Sequence, residues 1–360
     1  MKNNITKLGL KKRVALELNR RYHLNNKQLH PLQQLFWECT LKCNVHCRHC
    51  GSDCKSVSET PDMPLDDFLH VIDNSITPHV DPHKTFIIIS GGEPLMRPDI
   101  ERCGTELIRR GYPWGMVTNG LFLTKEKLDA LMQAGLHSIT VSIDGFEDDH
   151  NWLRGHKQSF ERASEAIRNI AATPHLTWDV VTCVNKRTLP KLPAFKDYLI
   201  SLGVTHWRLF SIVPMGRAAN EPDLLLSNDE YKQMMDFIVA TRQEGQIEAS
   251  FGCEGFLGSY EGEVRSHLYR CEAGVSIASI LIDGSISACT SVRGKYYQGN
   301  IYRDDFWDVW ENRFQPYRDR SWMKNGQCAN CKMWRYCEGN GMHLRREDGS
   351  LMFCHLDRLK

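Results

Sequence analysis

Long apolar runs are missing from this 360-residue sequence. No stretch approaches the ~18 consecutive apolar residues a membrane-spanning helix needs, so no membrane span is expected. The N-terminus has no apolar segment leading to a small-residue cleavage site, which argues against export, and a cytoplasmic chain is expected. An excess of one charge is missing as well. Lys and Arg number 45 against 44 Asp and Glu, a net charge of +1, so the overall charge gives no reason to expect a nucleic-acid partner. Internal repeats and low-complexity tracts are absent. What remains is a globular composition, 41% hydrophobic and 25% charged, which supports a sizeable core and, at this length, about two domains.

Cysteine, by contrast, is plentiful: there are 14. In a reducing compartment, clustered cysteines read as metal ligands before they read as disulfides.

Residues 1–34 form a basic arm in which Lys2, Lys7, Lys11, Lys12, Arg13, Arg20, Arg21 and Lys27 face Glu17 alone. Leu10, Val14 and Leu18 fall at helical spacing, predicting either a helix packed on the main domain or a contact for an acidic peptide or membrane surface. From residue 35, short apolar runs alternate with helical patterns. Strands are predicted at 35–38, 86–90, 115–118, 138–143, 177–184 and 207–212. Helices are predicted near 65–76, 98–110, 124–134, 158–172 and 191–202. Such alternation implies right-handed βαβ crossovers and a parallel sheet. Six units fit an α/β fold built as a partial (β/α)6 barrel over 35–225, with function at the carboxyl ends of the strands. A bridging helix and strand follow over 226–265. Residues 266–360 change to short strands, turns and cysteines, a small α+β region that includes a hairpin turning at Asp283-Gly284.

Just after the first strand, Cys43, Cys47 and Cys50 form a C-x3-C-x2-C loop. Three thiolates can hold three corners of a cubane cluster and leave one iron open for a ligand. Zinc more often takes paired two-residue spacings and four ligands, and it stays open as the alternative. Cys39 and Cys54 flank the loop out of register and read as free thiols. The second strand ends in Gly91-Gly92-Glu93-Pro94, where glycines permit close backbone approach and Glu93 can accept hydrogen bonds from an ammonium group. The next two strands end in Thr118-Asn119-Gly120 and Ser142-Ile143-Asp144-Gly145, and Leu153-Arg154-Gly155 follows.

These ordered motifs over 35–220, with Pro214-Met215-Gly216-Arg217-Ala218, resemble the radical S-adenosylmethionine (SAM) superfamily. The resemblance implies a [4Fe–4S] cluster on Cys43, Cys47 and Cys50, with SAM chelated at the open iron. It further implies that Gly91, Gly92 and Glu93 cradle the SAM amino group and that His49 lies near the adenine. Asn119 belongs to the same cofactor face, Ser142 would meet the ribose or carboxylate, Asp144 would shape that site, and Arg154 would pair with the SAM carboxylate.

Cys271 and Cys289, then Cys328, Cys331, Cys337 and Cys354, with Gly299-Asn300-Ile301 and Trp310, resemble the SPASM extension of radical SAM enzymes that modify peptides and proteins. The resemblance implies an auxiliary [4Fe–4S] cluster on Cys328, Cys331, Cys337 and Cys354. A second auxiliary cluster is in question, because Gly341 stands where the family has a cysteine. Cys271 and Cys289 therefore lack a co-ligand. Cys253 could substitute, the cluster could be lost, or an open iron could remain. Structural zinc stays open for the four-cysteine set.

The activity implied is reductive cleavage of SAM to a 5′-deoxyadenosyl radical, which takes hydrogen from a peptide or small-protein substrate. Electrons would come from a donor such as flavodoxin or ferredoxin. An anaerobic sulfatase maturase making formylglycine is an alternative, although Thr290 follows Cys289 where those enzymes carry an acidic residue. A degenerate iron–sulfur electron-transfer or binding protein is another. The 34 residues before the barrel are too few for the winged-helix leader-binding domain of many peptide maturases.

Overall fold

The computed structural model describes residues 6–252, 255–292 and 294–360; Cys253 lies outside them. Helix α1 (Leu10–Leu29) precedes the strands β1 (Gln34–Thr40), β2 (Phe86–Gly91), β3 (Trp114–Thr118), β4 (Leu136–Ser142), β5 (Thr177–Val184), β6 (His206–Ser211) and β7 (Glu248–Phe251). Neighbouring strands in this series pair in parallel, in chain order. These seven are the six strands expected over 35–225 and the bridging strand expected over 226–265, which joins the same sheet as β7. The crossovers contain α2 (Leu65–Val71), α3 (Ile100–Arg109), α4 (Lys125–Gln133), α5 (Glu147–Arg154), α6 (Ser159–Ala171), α7 (Leu192–Ser201) and α8 (Asn228–Glu244).

Local sequence explains these helices. In α3 the buried residues Ile100, Cys103, Gly104 and Leu107 recur at helical spacing. Gly104 has no side chain because the Trp114 ring packs there; a Cβ would stand 2.2 Å from it. Thr124 caps α4 by accepting from the Lys127 amide at 3.2 Å. Ser227 and Glu230 form a capping box at the start of α8. Along the strands, alternate residues point to opposite faces. Val180, Val184, Trp207 and Leu209 are fully buried against the helices. Phe36, Ile88, Thr140, Asp179 and Arg208 are only part-buried and line the concave side.

The C-terminal cysteine region continues this sheet. β8 (Ile277–Ile280) pairs in parallel with β1, from Gln34 opposite Ile277 to Trp37 opposite Ile280. β8, β9 (Ser285–Ser287) and β10 (Gly299–Asn300) then follow in antiparallel order, completing ten strands. The predicted hairpin forms, with Gly284 at φ +82° in its turn. Glu38, buried at the end of β1, accepts from the Ile282 amide at 3.1 Å and so couples the two regions. Trp310 is buried in α9 (Phe306–Asn312).

The basic arm folds as the expected helix, but it turns the opposite way. Leu16, His23 and Asn26 are its buried residues, whereas Leu10, Val14 and Leu18 are 78%, 52% and 63% exposed. Polar contacts bind it to the C-terminal region: ion pairs from Lys27 to Glu338 at 2.5 Å and Glu17 to Arg335 at 2.6 Å, and a hydrogen bond between His30 and Glu311 at 2.9 Å. Polar partners determined the docking face, which apolar spacing alone does not reveal.

Candidate functional site

The cysteine loop leaves β1 through a bulge between Glu38 and Thr40 and crosses the end of β2. Here Gly91 and Gly92 serve the chain's own backbone. A Cβ at Gly91 would meet the Thr40 carbonyl at 2.2 Å, and one at Gly92 would meet that of Lys42 at the same distance. The Gly92 and Glu93 amides donate to those two carbonyls at 2.7 and 2.8 Å. The approach expected toward a ligand is made first toward the loop.

Two other segments hold the loop. The His46 and Arg48 amides donate to the last carbonyls of α5, those of Arg154 and Leu153, at 3.0 and 2.9 Å. Gly155, at φ +68°, leaves room, since a Cβ there would lie 2.6 Å from the His46 carbonyl. From beyond β6, Arg217 donates through Nε to the Cys47 carbonyl at 2.7 Å and through Nη1 to Asp53 and the Cys54 carbonyl. Gly216 lets this turn sit against Cys50. The sequence places Gly216-Arg217 in a family-like motif, but the clamp on the cysteine loop emerges only in the fold.

Cys43, Cys47 and Cys54 form one buried cluster with Val45, and Cys50 packs against it. Burial pushes the Cys43 thiol up to about 12 and also raises Cys47, against the pull of Arg154. Cys50 is held below the usual thiol value, chiefly because the Cys54 thiol donates to its sulfur. Cys54 is a free thiol, as expected, and it is buried in the same cluster as Cys43 and Cys47. Cys39 does stand apart, fully buried in the main core on β1.

The predicted cofactor residues converge on this loop. Asn119 Nδ2 approaches Cys43 Sγ at 3.8 Å and donates to Asn44 at 2.7 Å. Glu93 is buried and accepts from the Thr118 hydroxyl and the Asn119 amide at 2.7 Å each and from the Leu95 amide at 3.2 Å. Burial nonetheless raises it to about 7. Arg154 Nε donates to Asp144 at 2.6 Å, and its Nη1 reaches Cys47 Sγ at 3.7 Å. Burial pushes Asp144 up, but Arg154 with neighbouring His49 and His150 holds it down at about 2. His150 accepts the Asp144 amide at Nδ1, 3.0 Å, which leaves Nε2–H to donate to Ser159. This support from α5 escaped the sequence reading, which placed no helix over 147–154. Ser142 lies buried at the end of β4 beside this group.

The donor set fits an iron–sulfur cluster better than zinc. Thiolates bonded to zinc at ~2.3 Å in a tetrahedron stand ~3.8 Å apart. Among the described residues, the one trio of ligating side chains gathered within 4.8 Å is His49, Asp144 and Cys183. Neither Cys43, Cys47 and Cys50 nor any three of the distal cysteines are drawn that close. The tight trio is unsuited to a cation because Arg154 already occupies Asp144. Beside the loop, His49 Nδ1 and Asn44 Nδ2 are buried without partners, polar atoms that a ligand such as SAM would satisfy.

In the C-terminal region, Cys328, Cys331, Cys337 and Cys354 line one cavity of about 400 Å³. Arg345 Nη2 lies 3.5 Å from Cys328 Sγ. Burial and the neighbouring thiols push Cys337 upward, a cost that a bound cation would reverse. Cys271 lies outside this cavity. Burial raises it, yet Arg320 and the Met342 amide, which donates to its sulfur, hold it below the usual thiol value. Position 341, next to Met342, is thus near Cys271 in space, and as glycine it offers no thiolate there. All 13 described cysteines are free of disulfides.

The family model of the Radical SAM superfamily matches residues 37–198, and that of the SPASM iron–sulfur cluster-binding domain matches 271–332. The chain is 28% identical over 324 residues to an AdoMet-dependent heme synthase of Methanosarcina barkeri, covering 84% of this chain and 89% of that one. It is 25% identical to the mycofactocin maturase MftC of Mycobacterium tuberculosis, covering 86% and 78%. Among solved structures, anSMEcpe with bound AdoMet aligns with a TM-score of 0.70 at 20% identity, covering 91% and 94%. SuiB of Streptococcus suis bound to S-adenosylmethionine aligns at 0.68 and 16% identity, covering 89% and 76%. At those identities the structural likeness carries the fold alone.

Proposed function

Because the chain belongs to the radical SAM superfamily and carries a SPASM iron–sulfur region, we propose that this enzyme removes a hydrogen atom from a peptide or protein side chain. When bound, the [4Fe–4S] cluster and SAM supply one-electron chemistry and a 5′-deoxyadenosyl radical able to attack an unactivated C–H bond. In this reading Cys43, Cys47 and Cys50 hold three irons of that cluster. Glu93 accepts the SAM ammonium on the carboxylate face left open by its three donors. Arg154, fixed by Asp144, turns its remaining N–H groups to the SAM carboxylate. Asn119 and Ser142 line the same face, and His49 offers its unpartnered nitrogen to the adenine side. Cys328, Cys331, Cys337 and Cys354 hold an auxiliary cluster. A small electron donor would supply the reducing equivalent, and a cytoplasmic setting would preserve the reduced clusters.

The observation that carries the substrate class is the SPASM match over 271–332, taken with similarity to the mycofactocin maturase MftC. Similarity to a heme synthase favours a second reading, a tetrapyrrole substrate. A cavity of about 720 Å³ on the concave side of the sheet, lined by Phe36, Thr140, Asp179 and Arg208 among others, lies toward the amino ends of the strands, away from the cysteine loop, and discriminates neither reading. The test is anaerobic reconstitution followed by dithionite, SAM and peptides encoded beside this gene. A SAM-dependent mass change on a peptide supports the proposal. Conversion of an iron porphyrin with every peptide unchanged replaces it with the second reading.

A further inference from the structure

Ten large apolar side chains stand exposed among the described residues, and six are on α1: Leu10, Val14, Leu18, Tyr22, Leu24 and Leu29. Chance scatter of surface apolar residues does not concentrate them on one helix. Leu10, Val14, Leu18 and Tyr22 follow one another at four-residue steps and make a single ridge. Over 20 residues the helix is ~30 Å long.

The charges beside the ridge have one sign. Lys7, Lys11, Arg13 and Arg21 are exposed. The helix's single acid, Glu17, is occupied by Arg20 and Arg335 at 2.6 Å each, on the docked flank. The inner face is fixed as well. Leu16 is buried, Lys12 binds Glu263 at 2.9 Å, Asn19 donates to the Tyr269 carbonyl, and the Trp310 indole donates to the His30 carbonyl at 3.1 Å. The ridge is therefore held outward by the rest of the molecule.

We propose that the outer face of α1 docks this enzyme on an anionic phospholipid surface. A ridge of Leu, Val and Tyr among lysines and arginines, with the flanking Glu17 and Glu263 already taken by Arg20 and Lys12, has the character of a helix lying in a bilayer interface. Apolar side chains enter between headgroups, and cationic heads stay level with the phosphates. Two copies packing through this face would bring Lys11, Arg13 and Arg21 against their own kind, which disfavours a self-association surface. None of the ridge residues lines the barrel cavity or the cavity of the distal cysteines, so docking is independent of the substrate class.

The test is sedimentation of the anaerobically reconstituted full chain with vesicles, either phosphatidylcholine alone or phosphatidylcholine with about 30% phosphatidylglycerol. The protein should sediment with the anionic vesicles, release with added salt, and stay free of the neutral ones. Leu10→Ser/Val14→Ser/Leu18→Ser, on exposed positions, should lower partitioning roughly tenfold or more. Lys11→Glu/Arg21→Glu should do the same by charge, so the conclusion survives if the first variant folds poorly. Both should retain wild-type circular dichroism and SAM cleavage. Failure to bind anionic vesicles at low salt, or equal binding by wild type and both variants, overturns the proposal. So does light scattering that finds a dimer dissolved by the triple variant, or preferential binding of an acidic helical peptide with vesicles ignored.

Discussion

Cys47 lies beneath a guanidinium from the end of α5, with its carbonyl gripped by Arg217 from beyond β6. Cys328, Cys331 and Cys337 lie within ten residues of one another and gather with Cys354 around their own cavity. The first cysteine set is embedded in cation and amide contacts delivered by separate strands. The second is assembled largely from its own stretch of chain. That difference suits different tasks. A site that must orient a reacting cofactor needs side chains from several elements, whereas a site that relays electrons needs mainly its ligands.

The largest expected effect breaks this comparison directly. Cys47→Ala should abolish 5′-deoxyadenosine formation with dithionite and SAM, while Cys331→Ala retains at least part of it. Full product from Cys47→Ala would refute its ligand role, and complete loss in Cys331→Ala would place the distal set in SAM cleavage itself. In the same preparations, Cys331→Ala should lose about one cluster's iron, measured per chain. Zinc found there in place of iron would remove the distal set from electron transfer.

Two buried ion pairs offer the next contrast. Arg154 pairs with Asp144 in the barrel, and Arg265 pairs with Glu261 at 2.9 Å beside the C-terminal region, both deeply buried. Removing either guanidinium strands a buried carboxylate, so Arg154→Met and Arg265→Met should each cost about 3–5 kcal/mol in urea unfolding of the metal-free chain. SAM binding should fail in Arg154→Met alone; equal failure in both would reduce Arg154 to a structural role.

A smaller effect should appear in pH. Burial raises Glu93 to about 7 from a normal 4.5. The folded state then holds the proton more tightly, so Glu93's contribution to stability is fully present below about 4.5 and is lost as pH rises through about 7. Binding an ammonium requires the opposite, anionic form. SAM affinity should strengthen as pH rises toward 7, by up to about tenfold per unit below that point. Glu93→Gln should flatten the profile, and an unchanged slope in calorimetry would remove Glu93 from the ammonium contact.

Much of this site is legible in the sequence because its motifs are local. C-x3-C-x2-C, GGEP and the strand-ending Asn119 and Asp144 each follow a short apolar run, so a parallel sheet brings them to one edge. Other features are illegible for equally physical reasons. Cys54 reads as out of register because its place beside Cys50 depends on how the loop closes. The inner face of α1 depends on ion pairs to Glu338 and Arg335, some 300 residues away in sequence. Helix α5 is concealed by its acidic first turn, Glu147-Asp148-Asp149, although acids there favour a helix start.

By itself, the sequence determined the alternation of strands and helices and the three-cysteine loop at a strand end. Spacing and periodicity suffice for these because they are short-range constraints on covalently linked residues. Only the tertiary structure decided that β8 extends the barrel sheet beside β1, that Arg154 and Arg217 grip the cysteine loop, and that α1 shows its apolar ridge to solvent. Those outcomes depend on which distant polar groups satisfy one another once buried, and no local pattern encodes that.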